Sequence, residues 1–154
     1  MRDLSSVIDD LKKIADFTPQ YTNGALPAAE QEFNELVTRY PQLNDFVAYL
    51  EFLRLTGGVH NSNKIFSLGL YGFSGMVVPS FEEVSLIDLE HYFLFGEVLY
   101  YQSDTQSYFA FDLPSGKDHV YKAGDDDAAY RLCSSSFVDF LDRFARGDFP
   151  VVND

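Results

Sequence analysis

The repeat length of the apolar residues changes twice along this chain, and those changes limit the folds open to it. In the first third they recur every three or four positions. Leu4, Val7, Ile8, Leu11, Ile14 and Ala15 fall on one helical face, with Asp3 placed to cap its start. The stretch Thr18 to Gly24 reads as a loop, because Asn23-Gly24 is a strong turn signal. Leu26, Ala29, Phe33, Leu36, Val37 and Tyr40 predict a second helix, with Pro27 in its first turn and Pro41 as its stop. Leu43, Phe46, Val47, Leu50 and Leu53 predict a third, closed by Gly57-Gly58.

Beyond Gly58 the pattern shortens. Ile65–Leu70 and Met76–Val78 are apolar runs between glycines, and Ser80–Glu83 has the spacing of a capping box ahead of a short helix. Tyr92–Phe95, Val98–Tyr101, Tyr108–Phe111 and His119–Tyr121 are aromatic or β-branched runs of strand length. Gln102–Ser107 and Pro114–Asp118 read as the turns between them. Asp125–Asp127 falls in a polar connection. The helical period then returns: Ser136 caps a helix with Asp139 three residues on, and Phe137, Phe140, Leu141 and Phe144 form its apolar stripe. Helices, a meander and a closing helix predict an α+β domain. Its N-terminal helices pack on a mainly antiparallel, curved sheet, closed by the C-terminal helix. One domain over residues 1–154 accommodates all of it, and a chain this long buries a core without a metal or disulfide staple.

Charge narrows the choice of partner. The net charge is -13; residues 1–77 contribute -3 and residues 78–154 contribute -10. Phosphate binding needs a basic surface, so nucleic acid is excluded as a partner, whereas an acidic field speeds encounter with a basic protein. Cys133 is the single cysteine, so no intramolecular disulfide forms, and a reducing, cytoplasmic setting is expected. The opening MRDLSSVIDDLKK lacks the apolar stretch of a signal peptide. The longest uncharged run, Ile65 to Phe81, is broken by three glycines and Pro79, so no membrane span is expected.

Catalytic patterns are sparse. His60, His91 and His119 have no i, i+4 partner and no HExxH, so no metal site is expected. Cys133 with a histidine could form a nucleophile–base pair, but a small buried residue next to the last helix is the better account of it. Capping explains Ser134–Ser136, and no GxSxG elbow occurs. Gly69, Gly72 and Gly75 lead into another strand-like run without a lysine, which suits strand bending rather than phosphate binding. Gly124–Ala129 lacks the alternate acids of a calcium loop. It is either a solvated acidic loop or a contact for a basic partner. Carboxylate pairs for glycoside chemistry are available, and nothing singles one out. No catalytic residue and no cofactor is expected. Tyr100, Tyr101, Tyr108, Tyr121 and Tyr130 gather in the acidic half. They form either part of the core or, beside carboxylates on a rigid sheet, a protein-binding face.

Several segments together resemble a known family. Tyr49–Gly58 (YLEFLRLTGG), Pro79-Ser80, Phe93–Val98 (FLFGEV), Tyr108–Lys122 (YFAFDLPSGKDHVYK) and Ser136–Asp148 (SFVDFLDRFARGD) follow one another as in the SUKH superfamily, over about residues 26–148. That superfamily includes the yeast cell-wall-assembly regulator group and many bacterial immunity proteins. Val78 stands before Pro79, where the family often carries an aromatic residue. The resemblance implies an α+β fold, no catalytic residues, and neutralisation of a toxin, often a nuclease or deaminase, by direct binding.

The expectation is therefore a non-enzymatic immunity protein that binds a basic toxin domain. Its candidate contacts are Glu97, Tyr100, Tyr101, Asp104, Asp118, Tyr121, Asp125, Asp126 and Asp127. A regulatory or scaffold module of the same fold without a toxin is the alternative. A hydrolase would need two titratable groups converging in a deep pocket.

Overall fold

The structure is a computed structural model and describes residues 3–13, 17–19, 26–56, 59–62, 66–70, 92–100, 105–124 and 127–146. The predicted features at Asn23-Gly24, Gly57-Gly58, Met76–Val78 and Ser80–Glu83 lie outside these residues.

The first helix, α1 (Leu4–Leu11), starts where Asp3 accepts a 2.8 Å hydrogen bond from the Ser6 N–H. It buries Leu4, Val7, Ile8 and Leu11; the predicted continuation at Ile14 and Ala15 lies outside the described residues. The expected loop after it contains a short strand, β1 (Phe17–Pro19), held by pairing with residues 59–61. Nothing local in Phe-Thr-Pro announces a strand; the pairing partner lies some forty residues away. Helix α2 (Leu26–Arg39) ends just before the residue that precedes Pro41, where α geometry is disfavoured. The expected third helix divides there. Pro41–Asp45 forms a 3₁₀ turn, and α3 (Val47–Thr56) follows. Val47 is 68% exposed, so it is not part of the core stripe.

Six further strands follow: β2 (Val59–Ser62), β3 (Phe66–Leu70), β4 (Tyr92–Tyr100), β5 (Thr105–Asp112), β6 (Val120–Gly124) and β7 (Asp127–Ser134). All seven lie in one sheet in chain order, each antiparallel to its neighbour. The runs Tyr92–Phe95 and Val98–Tyr101 belong to a single strand interrupted by an irregularity between Leu94 and Gly96. The Pro114–Asp118 turn is a 3₁₀ segment, Leu113–Ser115, closed by Gly116 at φ 67°. A side chain is strained at that angle, which is why glycine suits it. His119 precedes β6 and is not in it. Asp127 opens β7, so the acidic run leads into a strand. The last helix, α4 (Phe137–Ala145), forms as expected, with the Ser136 hydroxyl accepting from the Asp139 N–H at 3.0 Å.

The core lies between the sheet and helices α3 and α4, and it is largely aromatic. Phe93, Phe95, Phe109 and Phe111 project from one sheet face onto Phe46, Tyr49, Phe137 and Phe140. Phe95 stacks on Phe111 at 4.4 Å, and Phe109 meets Phe140 edge-on at 4.8 Å. Each such pair adds about 0.5–1.5 kcal/mol to the burial of the rings themselves. Helix α1 packs against α4 and contributes Val7, Ile8 and Leu11 to the same core. Phe33 of α2 packs beneath Arg54 of α3, with 4.2 Å between the guanidinium carbon and the ring centre.

Candidate functional site

Strand parity decides what the far face of the sheet carries. Phe93 and Phe111 are paired and point to the helices, so Leu94 and its partner Ala110 point away. Simple alternation would then send Phe95 and Glu97 both into the core. The irregularity in β4 prevents this. Leu94 pairs with Ala110 and Gly96 with Phe109, leaving Phe95 as an extra residue, as in a β-bulge. Phe95 keeps its ring in the core, Val98 is buried opposite Ser107, and Glu97 comes out on the far face opposite Tyr108.

On this outer face, three cross-strand rows can be followed. Tyr92 stands opposite Asp112, and Glu97 opposite Tyr108. Leu94, Ala110, Tyr121 and Leu132 line up across β4 to β7. The Tyr92 and Tyr121 rings meet edge to face at 5.8 Å. Tyr92, Glu97, Tyr108, Asp112 and Tyr121 are half-buried, Leu94 and Ala110 are buried, and Leu132 is 63% exposed. Asp112 Oδ1 is buried and has no hydrogen-bond partner among the described residues. The single cation in β4 to β6, Lys122, pairs with Phe109 and is buried on the helix side. Carboxylates and phenols thus share the far face of these strands without a lysine or arginine among them.

The expected contact residues divide. Glu97 and Tyr121 stand together on the outer face. Tyr100 occupies the register position between Phe66 and Thr105, and Asp127 pairs with Gly124 at the start of β7. Asp118 is elsewhere: its carboxylate accepts from the Phe137 N–H at 3.4 Å, at the N-terminus of α4. That position favours a negative charge and gives Asp118 a structural task. Tyr101, Asp104, Asp125 and Asp126 lie outside the described residues. Tyr92, Asp112 and Leu132 were missed as candidates. The register of β4 to β7 joins them to Tyr121, and that register is not visible in the sequence.

The polar groups around the start of α4 are engaged with one another. Ser134 donates to Asp139 at 2.5 Å, Arg143 donates to the Cys133 carbonyl at 2.8 Å, and His119 Nδ1 lies 2.7 Å from the Ser135 carbonyl. These bonds fasten the end of β7 to the helix. Cys133 is half-buried there. Among the described residues, no group of three or more His, Cys, Asp or Glu is placed to hold a metal ion. No described helix is long and apolar enough to cross a membrane. Among the described residues, the most perturbed titratable group is Tyr49, whose phenol is pushed well above its ordinary range by burial alone. It lies inside the core and not on the outer face. No family model, no curated protein and no solved structure matches this chain.

Proposed function

We propose that this protein is a SUKH-type immunity protein, acting in the cytoplasm, that neutralises a basic toxin domain by binding it without catalysis. The observation that carries the reading is the outer face of β4 to β7. Glu97, Asp112, Tyr92, Tyr108 and Tyr121 share it, and no cation in β4 to β6 does. Tyrosine offers a large amphipathic contact area at small entropic cost, and the carboxylates beside it complement a basic groove. The net charge of -13 adds long-range attraction to such a partner. The order of helices, meander and closing helix supports the family assignment, and toxin binding follows from that assignment.

The test is capture of the toxin domain encoded beside this protein's gene, at physiological salt, with protection of cells that express it. Binding that weakens as salt rises, and that falls on Glu97→Lys, is the expected result. A stable toxin domain that is neither bound nor inhibited refutes the reading. A gene neighbourhood without a toxin, together with a stable partner of another kind, supports a regulatory module of the same fold instead.

A further inference from the structure

We infer that the exposed side of α3 is a second docking surface, and that it takes a basic amphipathic helix of a partner protein. This goes beyond the reading above and does not depend on it. Helix α3 packs on the sheet face that carries Phe93 and Phe111, whereas Glu97 and Tyr121 stand on the other. The side of α3 turned to the core holds Tyr49, Leu50, Phe52, Leu53 and Thr56. A surface helix ordinarily keeps polar residues on its outer side, as α1 does with Ser5, Ser6 and Asp9. The outer side of α3 departs from that rule: Val47 is 68% exposed and Leu55 44%. These are two of the three large hydrophobic residues exposed among the described residues, so such exposure is concentrated on this helix and not scattered. They lie on one side of the helix, about 12 Å apart along its axis.

Charge selects the occupant. Glu51 is exposed and stands one turn from Val47 and one turn from Leu55. No hydrogen bond or ion pair joins its carboxylate to a described residue. Asp45, also exposed, closes the 3₁₀ turn just ahead of the helix. The single cation of α3, Arg54, is turned onto the Phe33 ring of α2 at 4.2 Å, to the side of the line through Val47, Glu51 and Leu55. Along that line the surface reads apolar, acid, apolar. Its complement is a helix with apolar residues two turns apart and a lysine or arginine between them, an anchor pattern by which amphipathic helices are recognised. A second copy of the chain is opposed. Two-fold pairing of α3 with itself sets Glu51 against Glu51, and each copy carries -13.

The experiment uses the full chain, labelled with ¹⁵N, and three capped, alanine-based helical peptides of about fifteen residues. The first carries two leucines two turns apart with two lysines between them on the same face. The second has glutamates in place of the lysines. The third has the composition of the first, with its leucines moved to the side opposite the lysines. The first peptide is expected to shift amides in Val47–Thr56, and the other two to bind about fivefold more weakly or worse. Glu51→Lys is expected to reverse the preference between the first two. Val47→Ser with Leu55→Ser, both at exposed positions, is expected to weaken the first peptide about tenfold and keep the thermal transition. Equal binding of the first and third peptides reduces the effect to charge alone and overturns the proposal, as does the absence of shifts in α3. A dimer that dissociates on Leu55→Ser overturns it in favour of a second copy. Binding of the first peptide at α3 by a chain that captures no toxin supports this site and removes the immunity reading. Toxin capture that is lost on Glu97→Lys, without peptide shifts in α3, does the reverse.

Discussion

Replacing Tyr49 by phenylalanine should make this protein more stable. Tyr49 is at the centre of the aromatic core, 5.2 Å from Phe111, 5.4 Å from Phe137, 5.8 Å from Phe95 and 5.9 Å from Phe93. Its hydroxyl is buried and has no hydrogen-bond partner among the described residues. A polar group stripped of water and left unpaired costs about 1–3 kcal/mol. Phenylalanine keeps the ring and its contacts and removes that cost. The void left by one oxygen, roughly 15 Å³, costs about 0.4 kcal/mol. The difference favours Tyr49→Phe by about 1 kcal/mol, or roughly 2–4 °C in Tm for a domain of this size. Urea unfolding at neutral pH reads it as a higher midpoint with an unchanged slope. Alkaline pH provides a second reading. In the unfolded chain this phenol has its ordinary pKa of 10.0, and burial raises it in the folded state. Above pH 10 unfolding therefore releases a proton. The wild type loses stability with rising pH at up to about 1.4 kcal/mol per pH unit from this group, and the phenylalanine variant does not. The gap between the two proteins should widen from pH 10 upward. A phenylalanine variant less stable than wild type by about 1 kcal/mol would show that the hydroxyl has a partner, and the account of the core would fail.

Other substitutions probe separate parts of the structure. Ser136→Ala removes the cap of α4 and should cost about 1 kcal/mol, seen as a lower urea midpoint. Phe95→Ala empties the stack on Phe111 and the contacts to Phe137 and Phe140, and should cost about 3–5 kcal/mol, a large part of the stability of an ordinary domain. Deleting Gly96 removes the extra residue of the bulge, puts Phe95 opposite Phe109 and leaves Glu97 opposite Tyr108; a retained cooperative thermal transition is the expected outcome, and its loss would show that the bulge itself is required. On toxin binding, Glu97→Lys should mainly slow association and flatten the salt dependence, measured by stopped flow.

The helices were largely legible because their signals are local. Asp3 and Ser136 cap within three residues, Pro41 stops α2 from the next turn, and the stripe Phe137, Phe140, Leu141, Phe144 recurs at helical spacing. Strands were legible where aromatic and β-branched residues crowd together, as in β4 and β5. They were missed where long-range pairing decides. Phe17–Pro19 becomes a strand only because residues 59–61 pair with it, and Asp127 to Ser134 because β6 folds back against it. Asp118 illustrates another limit. A carboxylate in a turn looks like a surface contact, and only the approach of α4, nineteen residues away in sequence, makes it a helix-terminal acceptor.

The candidate face depends most on one insertion. Counting from Phe93 by twos reaches Phe95 and then Glu97, so parity alone buries the acid and exposes Val98. Burying an unpaired carboxylate among phenylalanines costs several kcal/mol, whereas one bulge costs little and bends the strand. The chain takes the bulge: the extra residue is Phe95, whose ring the core can use, and Gly96 beside it brings no side chain into the crowded side opposite Phe109. From that point β4 has reversed faces, Val98 is buried, and Glu97 stands beside Tyr108 on the side that carries Tyr121. The same packing demand that completes the aromatic core therefore sets the acid on the proposed binding face.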